Sequence, residues 1–334
     1  MNRADGWTKA RRISWIGLSV GITLAVGLVA WQGADTVANL LASTSWKLLL
    51  VAGFAVPQLL LASTSWRLLF PAGGAPRFGL VFLAMWIGVS INLMLPVANL
   101  GGDVVRARLL SLWTGRPRDV VASVVVDKTV LVATLPVLAV IGTAAVLRLV
   151  PDSGSFGAAA GLVFLLVAAI VILVVVQRAG ALSFLVARAV RLSRRPGWEG
   201  IVEKASDLDG AIRALYARPA RILAAGTLRL LGRLTASGEV WLAARLLGHP
   251  ITIVDALLLR SFAIVARAIA FPVPGGLGVQ EGSFVALGAL IGMPPEVALA
   301  TSLATRVRDI VSSVPGLIAW QYVEGRGLWR RRAA

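Results

Sequence analysis

Three observations predict an all-α, polytopic integral membrane protein. Of 334 residues, 57% are hydrophobic and 15% charged, with a mean hydropathy of +0.82, whereas a soluble domain carries about 25% charged residues. The apolar residues gather into about eight runs long enough to cross a hydrocarbon core of roughly 30 Å. The basic residues behind the net charge of +17 cluster outside those runs, at Arg3 to Arg12, Arg178 to Arg221 and Arg326 to Arg332. That is the positive-inside pattern of membrane proteins and argues against a nucleic-acid partner. With no cysteine and one histidine, His249, the chain offers no disulfide, thiolate or histidine-rich metal site. Neither a metal nor another cofactor is expected.

The predicted spans are 13–31, 48–66, 78–95, 119–147, 157–177, 222–247, 251–271 and 296–320. The first follows a basic start like that of a signal peptide, but its apolar run is about 19 residues, enough to span, and no convincing cleavage site follows. The long connection 178–220 places Ile201, Ala205, Leu208, Ile212 and Leu215 at helical spacing among charges. This predicts an amphipathic helix on the cytoplasmic surface. Residues 326–334 read as a basic cytoplasmic tail. The near-identical stretches LLASTSWKLL (40–49) and LLASTSWRLL (60–69) are expected to set Trp46/Lys47 and Trp66/Arg67 at opposite membrane interfaces, since twenty residues of helix rise roughly 30 Å.

A weaker repeat organises the rest of the single membrane domain, 1–334. NLMLPVANLGGDVVRARLL precedes SVVVDKTVLVATLP, and FPVPGGLGVQEGSFVAL precedes SLATRVRDIVSSVP. Proline precedes acid by seven residues in both, Pro96 to Asp103 and Pro274 to Glu281, and serine precedes proline by thirteen, Ser123 to Pro136 and Ser302 to Pro315. The chain thus divides into a first repeat of about 48–147 and a second of about 222–320. Each has a span, a proline/glycine break, a short helix opened by an acid, and a long helix. If both short helices cross the membrane, both termini and every basic cluster fall in the cytoplasm. The repeats are then inverted, an arrangement recurrent in transporters. Hairpins returning to one face would make them parallel and put one basic cluster outside. The glycine-rich loop itself fits neither the dinucleotide fingerprint nor a P-loop.

Charges within apolar spans cost on the order of 2.5 to 3.5 kcal/mol each, so they normally face a protein interior or a wet cavity. Here they are Arg106, Arg108, Lys128, Arg229, Arg233, Arg260, Arg267, Arg306 and Arg308 against Asp103, Asp127, Glu239, Glu281 and Asp309. Arg108, Arg229 and Arg260 lie near predicted span ends, where snorkelling to headgroups is the plainer reading. Arg229 and Arg233, four apart, share a helix face, as do Arg260 and Arg267, seven apart. Asp103/Arg106 and Arg306/Asp309 can pair at three-residue spacing. Arginine forks fit phosphate oxygens, so Arg106, Arg233, Arg267 and Arg306 are the candidate substrate-binding residues, with Asp103, Glu281 and Asp309 holding them. Asp103 and Glu281, in the first turns of short helices, are equally suited to capping; the functional alternative pairs each with an arginine of the opposite repeat, Arg306 for Glu281. Gly101, Gly102, Gly275, Gly276 and Gly278 would allow unwound backbone and close helix approach.

These same stretches, above all PVPGGLGVQEGSFVALGALIGMPPEVALATSLATRVRDIVSSVPGLIAW, resemble the transmembrane region of lysylphosphatidylglycerol synthases and related stand-alone membrane proteins, and most resemble a hopanoid-biosynthesis-associated branch. The resemblance covers nearly the whole chain. It implies a flippase for a lipid in a bacterial inner membrane, not an enzyme, with lipid-synthesis enzymes as protein partners. Because the chain stops at Ala334, the soluble synthase domain of bifunctional members is expected to be absent, which separates the chain from lysylphosphatidylglycerol itself. The alternatives are a membrane-embedded polyprenyl or hopanoid transferase with Asp103 or Glu281 as base, and a scaffold for lipid-synthesis enzymes.

Overall fold

A computed structural model describes residues 45–71, 74–95, 100–149, 155–193, 199–270 and 278–332. The predicted span 13–31, the PVAN break and the loop carrying Gly275 and Gly276 lie outside the described residues. After a short 3-10 turn at Ser45–Lys47 come α1 Leu48–Gly53, α2 Ala55–Leu68, α3 Phe78–Met94, α4 Gly101–Thr114, α5 Pro117–Ala133, α6 Leu135–Leu149 and α7 Ser155–Arg178. Then follow α8 Ala181–Ser193, α9 Glu199–Tyr216, α10 Pro219–Leu246, α11 Ile253–Ile269, α12 Val279–Leu290 and α13 Pro295–Arg332. No strand occurs among the described residues.

Local chemistry fixes most boundaries. Pro117 and Pro219 occupy the first turns of α5 and α10, where a missing N–H leaves no helical hydrogen bond unmade. Thr252 and Asp255 exchange side-chain and backbone hydrogen bonds at the start of α11, a capping box. Gly115, at φ +67°, ends α4 in the left-handed region. Pro315 lies inside α13 and gives no N–H to the Val311 carbonyl. The neighbouring Ser312 carbonyl accepts the Trp86 indole N–H at 2.7 Å, so a second helix helps the chain through the proline.

Three helical stretches among the described residues are long and apolar enough to cross a membrane: Leu48–Leu68, Pro117–Leu149 and Ala160–Arg178; Phe78–Met94 is apolar but shorter. Helices α10 and α13 are long, but their buried charges break the apolar run. In Ala160–Arg178 none of the apolar window is buried, and Phe164, Leu165 and Ile172 stand outward, a face fit for lipid.

Packing exchanges partners between the two repeats. Helix α4 lies against α3 and α5, and α12 against α11 and α13; but α6 packs on α11, α13 packs on α3, and α2 packs on α10. The long helix of each repeat thus packs on the helix that precedes the proline/glycine break of the other. The α3/α4 crossing is close because both helices present glycine. A Cβ on Gly102 would strike the Gly88 carbonyl and Asn92, and the Gly102 N–H donates to Asn92 Oδ1 at 2.8 Å.

Three expectations are corrected here. The connection 178–220 holds two helices, α8 and α9, packed together, with Asp209 accepting the Ser183 N–H at 2.8 Å. The apolar face of α9 does not rest on lipid: Ile212 and Leu215 join Trp66, Val120 and Val124 in one core. Burial there pushes the Tyr216 phenol up, and its hydroxyl donates to Gln177 at 2.6 Å. Trp66 is fully buried, unlike exposed Trp46, so the second tryptophan is a core residue and not an interfacial anchor. Finally, α13 continues through the predicted tail to Arg332.

Candidate functional site

Two ion-pair clusters flank the junction of the repeats. In the first, α4, α5 and α10 converge on Asp127. The Arg106 guanidinium reaches Asp127 Oδ2 at 2.8 Å and Asp103 Oδ1 at 2.8 Å, while Arg229 of α10 meets both Asp127 oxygens at 2.5 and 2.6 Å. Lys128 Nζ lies 2.7 Å from Asp103. Arg106 also stacks over the Trp66 ring, 4.7 Å from its centroid, and the Trp66 indole N–H donates to Ser123 at 3.0 Å. Cation–π stacking and two carboxylates together compensate a guanidinium taken out of water.

The second cluster joins α10, α12 and α13. Arg306 Nε lies 3.0 Å from Glu281 Oε1 and its Nη1 3.9 Å from Asp309. Arg308 reaches Asp309 at 3.2 Å and Glu239 at 3.3 Å, and Gln58 of α2 donates to Glu239 at 3.3 Å. Beside it, the Arg267 guanidinium donates to Gln280 Oε1 at 3.0 Å; the Gln280 amide in turn donates to Ser302 and Thr305. Gln280 is fully buried.

Between the clusters is a cavity of about 170 Å³ lined by Gln58, Trp86 and Ser90, by Arg229 from the first cluster and Arg308 from the second, and by Arg233. Arg233 makes no ion pair among the described residues, and its Nη1 is buried without a hydrogen-bond partner. Arg260, on α11, is 6% exposed, and its Nε has no partner either.

The candidates are therefore not one site. Arg306, Glu281, Asp309 and Arg267 come together; Arg106 and Asp103 form the other cluster; Arg233 faces the cavity. Arg106, 3% exposed, is enclosed by its partners. Asp103 meets Arg106 and Lys128, and Glu281 meets Arg306, so each carboxylate is directed at a cation. Their arginines come from their own repeat, not the opposite one. The pair that crosses between repeats is Asp127 with Arg229, so Arg229 is no snorkelling residue, nor is buried Arg260. Arg108 does reach outward, where it pairs with Glu324 at 2.6 Å. Gly102 provides the close approach, and Gly278 turns the chain into α12 at φ +76°. Sequence reasoning missed Gln58 and Gln280 as site residues. For Gln280 the signal was its place beside Glu281 in an apolar helix; for Gln58, a lone amide in the apolar run 48–68.

A helical bundle with apolar outer faces and an arginine-lined cavity between exchanged repeats defines an integral membrane protein with a polar interior. The family described as the lysylphosphatidylglycerol synthase TM region matches residues 15–316, and the chain belongs to that family. Its role is accordingly related to membrane lipid. No curated protein and no solved structure matches the chain.

Proposed function

We propose that this protein moves an anionic, phosphate-bearing lipid between the leaflets of a bacterial inner membrane, in aminoacyl-phospholipid or hopanoid-linked lipid metabolism, without itself catalysing a covalent step. The observation that carries this reading is Arg233: a guanidinium facing the junction cavity with no carboxylate paired to it among the described residues. Arginine binds phosphate through fixed parallel N–H donors. The cavity holds a headgroup-sized group at most, so the acyl chains stay in the bilayer while the headgroup enters.

Transport follows if the two repeats rock about their junction. The helices that would slide are α6 on α11 and α13 on α3, and the cavity-lining Ser90 and Trp86 belong to the second of these crossings. A Cβ on Gly316 would run into both side chains; glycine at that point keeps the surfaces smooth. The ion-pair clusters, through Arg229 and Arg308, supply fixed walls on either side of the headgroup.

The test is a leaflet-resolved assay in proteoliposomes with labelled phosphatidylglycerol, phosphatidic acid and phosphatidylcholine. The expected result is faster exchange of the anionic lipids, lost in Arg233→Gln. Product formation from a polyprenyl or hopanoid acceptor would replace the transport reading with a transferase. Retention of lipid-synthesis enzymes without lipid exchange would replace it with a scaffold.

A further inference from the structure

Polar side chains buried in a helical bundle are normally satisfied within it, and most of the polar wall of the junction cavity follows that rule. The Ser90 hydroxyl donates to the Trp86 carbonyl at 2.9 Å, and the Trp86 indole N–H donates to the Ser312 carbonyl at 2.7 Å. The Ser312 hydroxyl donates to the Asp309 carbonyl at 3.3 Å, and Gln58 to Glu239 at 3.3 Å. Arg229 and Arg308 meet carboxylates. Two atoms of the wall depart from it. Among the described residues, Arg233 Nη1 and Ser313 Oγ are buried without a hydrogen-bond partner, and both side chains line this one cavity.

Ser313 is 1% exposed. A serine or threonine hydroxyl inside a helix commonly bonds the carbonyl three or four residues back, as those of Ser63, Ser90 and Ser283 do. Ser313 makes no such bond, and the carbonyl four residues before it, that of Asp309, accepts from Ser312 instead. A buried hydroxyl without a partner costs stability. A ligand atom that enters the cavity and accepts from it recovers that cost.

The two open donors complement each other. Arg233, on α10, brings a positive charge and a fixed N–H; Ser313, on α13, brings an O–H that rotates to suit. A phosphate ester offers at least two non-ester oxygens that share negative charge, so one oxygen can accept from each. We infer that Ser313 and Arg233 together bind one phosphate group in the junction cavity, the serine hydroxyl taking a second oxygen of the phosphate that the guanidinium holds. That the phosphate belongs to a transported lipid rests on the transport reading above; the binding itself does not.

The experiment is thermal melting of the purified full-length protein in detergent, titrated with phosphatidylglycerol, phosphatidic acid and diacylglycerol of matched acyl chains, with oleate, and with soluble glycerophosphoglycerol. The two phospholipids should raise the melting temperature and diacylglycerol should not. Without lipid, Ser313→Ala should melt no lower than the unaltered protein, because it removes an unsatisfied hydroxyl. It should nevertheless bind both phospholipids about tenfold more weakly, the size of one hydrogen bond to a charged group. Added to Arg233→Gln, it should weaken binding by less than that, since both residues act on one phosphate. Unchanged phospholipid affinity in Ser313→Ala, at whatever melting temperature, overturns the proposal and leaves the hydroxyl structural or bound to water. Weakening for phosphatidylglycerol alone moves Ser313 to the glycerol and overturns it too. Equal stabilisation of the unaltered protein by diacylglycerol, or by oleate, overturns it without any variant. Glycerophosphoglycerol binding as tightly as phosphatidylglycerol keeps the site and makes its ligand a soluble phosphate ester. Binding without leaflet exchange keeps the site and removes the transport reading; exchange indifferent to Ser313→Ala does the reverse.

Discussion

Glu281 has one oxygen on Arg306 and the other, Oε2, buried without a hydrogen-bond partner among the described residues. A carboxylate 1% exposed is held in place by charge rather than by a full set of donors. Glu281→Gln keeps the shape and one acceptor but takes an ion pair from Arg306, and Asp309, 3.9 Å away, is already engaged by Arg308. Breaking a buried pair from one side costs about 3 to 5 kcal/mol, so the variant should melt well below the unaltered protein in detergent and lose transport. The double exchange Glu281→Arg with Arg306→Glu should recover part of both. Unchanged melting and transport in the single variant would reduce Glu281 to a complement of the helix dipole, worth about 0.3 to 1 kcal/mol.

Helix crossings are set by what the facing residues lack. Gly102→Ala places a methyl group against the Gly88 carbonyl and Asn92, so α3 and α4 must separate or one must bend, at a cost of about 1 to 3 kcal/mol for overpacking. The same substitution at Gly53, with nothing within 4 Å of its added Cβ, should be neutral or slightly stabilising. Thermal melting of both variants checks the contrast. The sequence made the helices legible because hydropathy, Pro117, Pro219 and the Thr252/Asp255 cap are local signals. Pairing was legible only where it too was local: Asp103 with Arg106 follows from spacing, whereas Asp127 with Arg229 joins residues 102 positions apart, and no spacing rule reaches that far. The two LLASTSW copies show the same limit. Identical residues cannot announce that only the second tryptophan meets Ser123 and an arginine.

Across the whole molecule, the partner exchange between repeats makes each long helix a shared wall: Leu138 and Ala139 share a core with Val265, and Ile87 and Ile91 with Leu317. If the repeats are inverted, as their spacing and the basic clusters predict, both ends of the chain lie in the cytoplasm. Reporter fusions at Ala334 and within 152–156 should report cytoplasmic and periplasmic positions respectively, and a periplasmic C-terminus would remove the inversion.

The unpaired Arg233 also gives the junction cavity an electrical role. An anionic headgroup that crosses the bilayer moves charge through the membrane field, and each elementary charge carried across is worth about 2.3 kcal/mol per 100 mV. Each negative charge gains that amount when driven outward by a potential negative inside. The resting voltage of a bacterium would then set both direction and energy source. Proteoliposomes clamped with valinomycin and a potassium gradient should accumulate phosphatidic acid in the outer leaflet when the interior is negative and in the inner leaflet when the gradient is reversed. Phosphatidylcholine should stay evenly distributed at either sign.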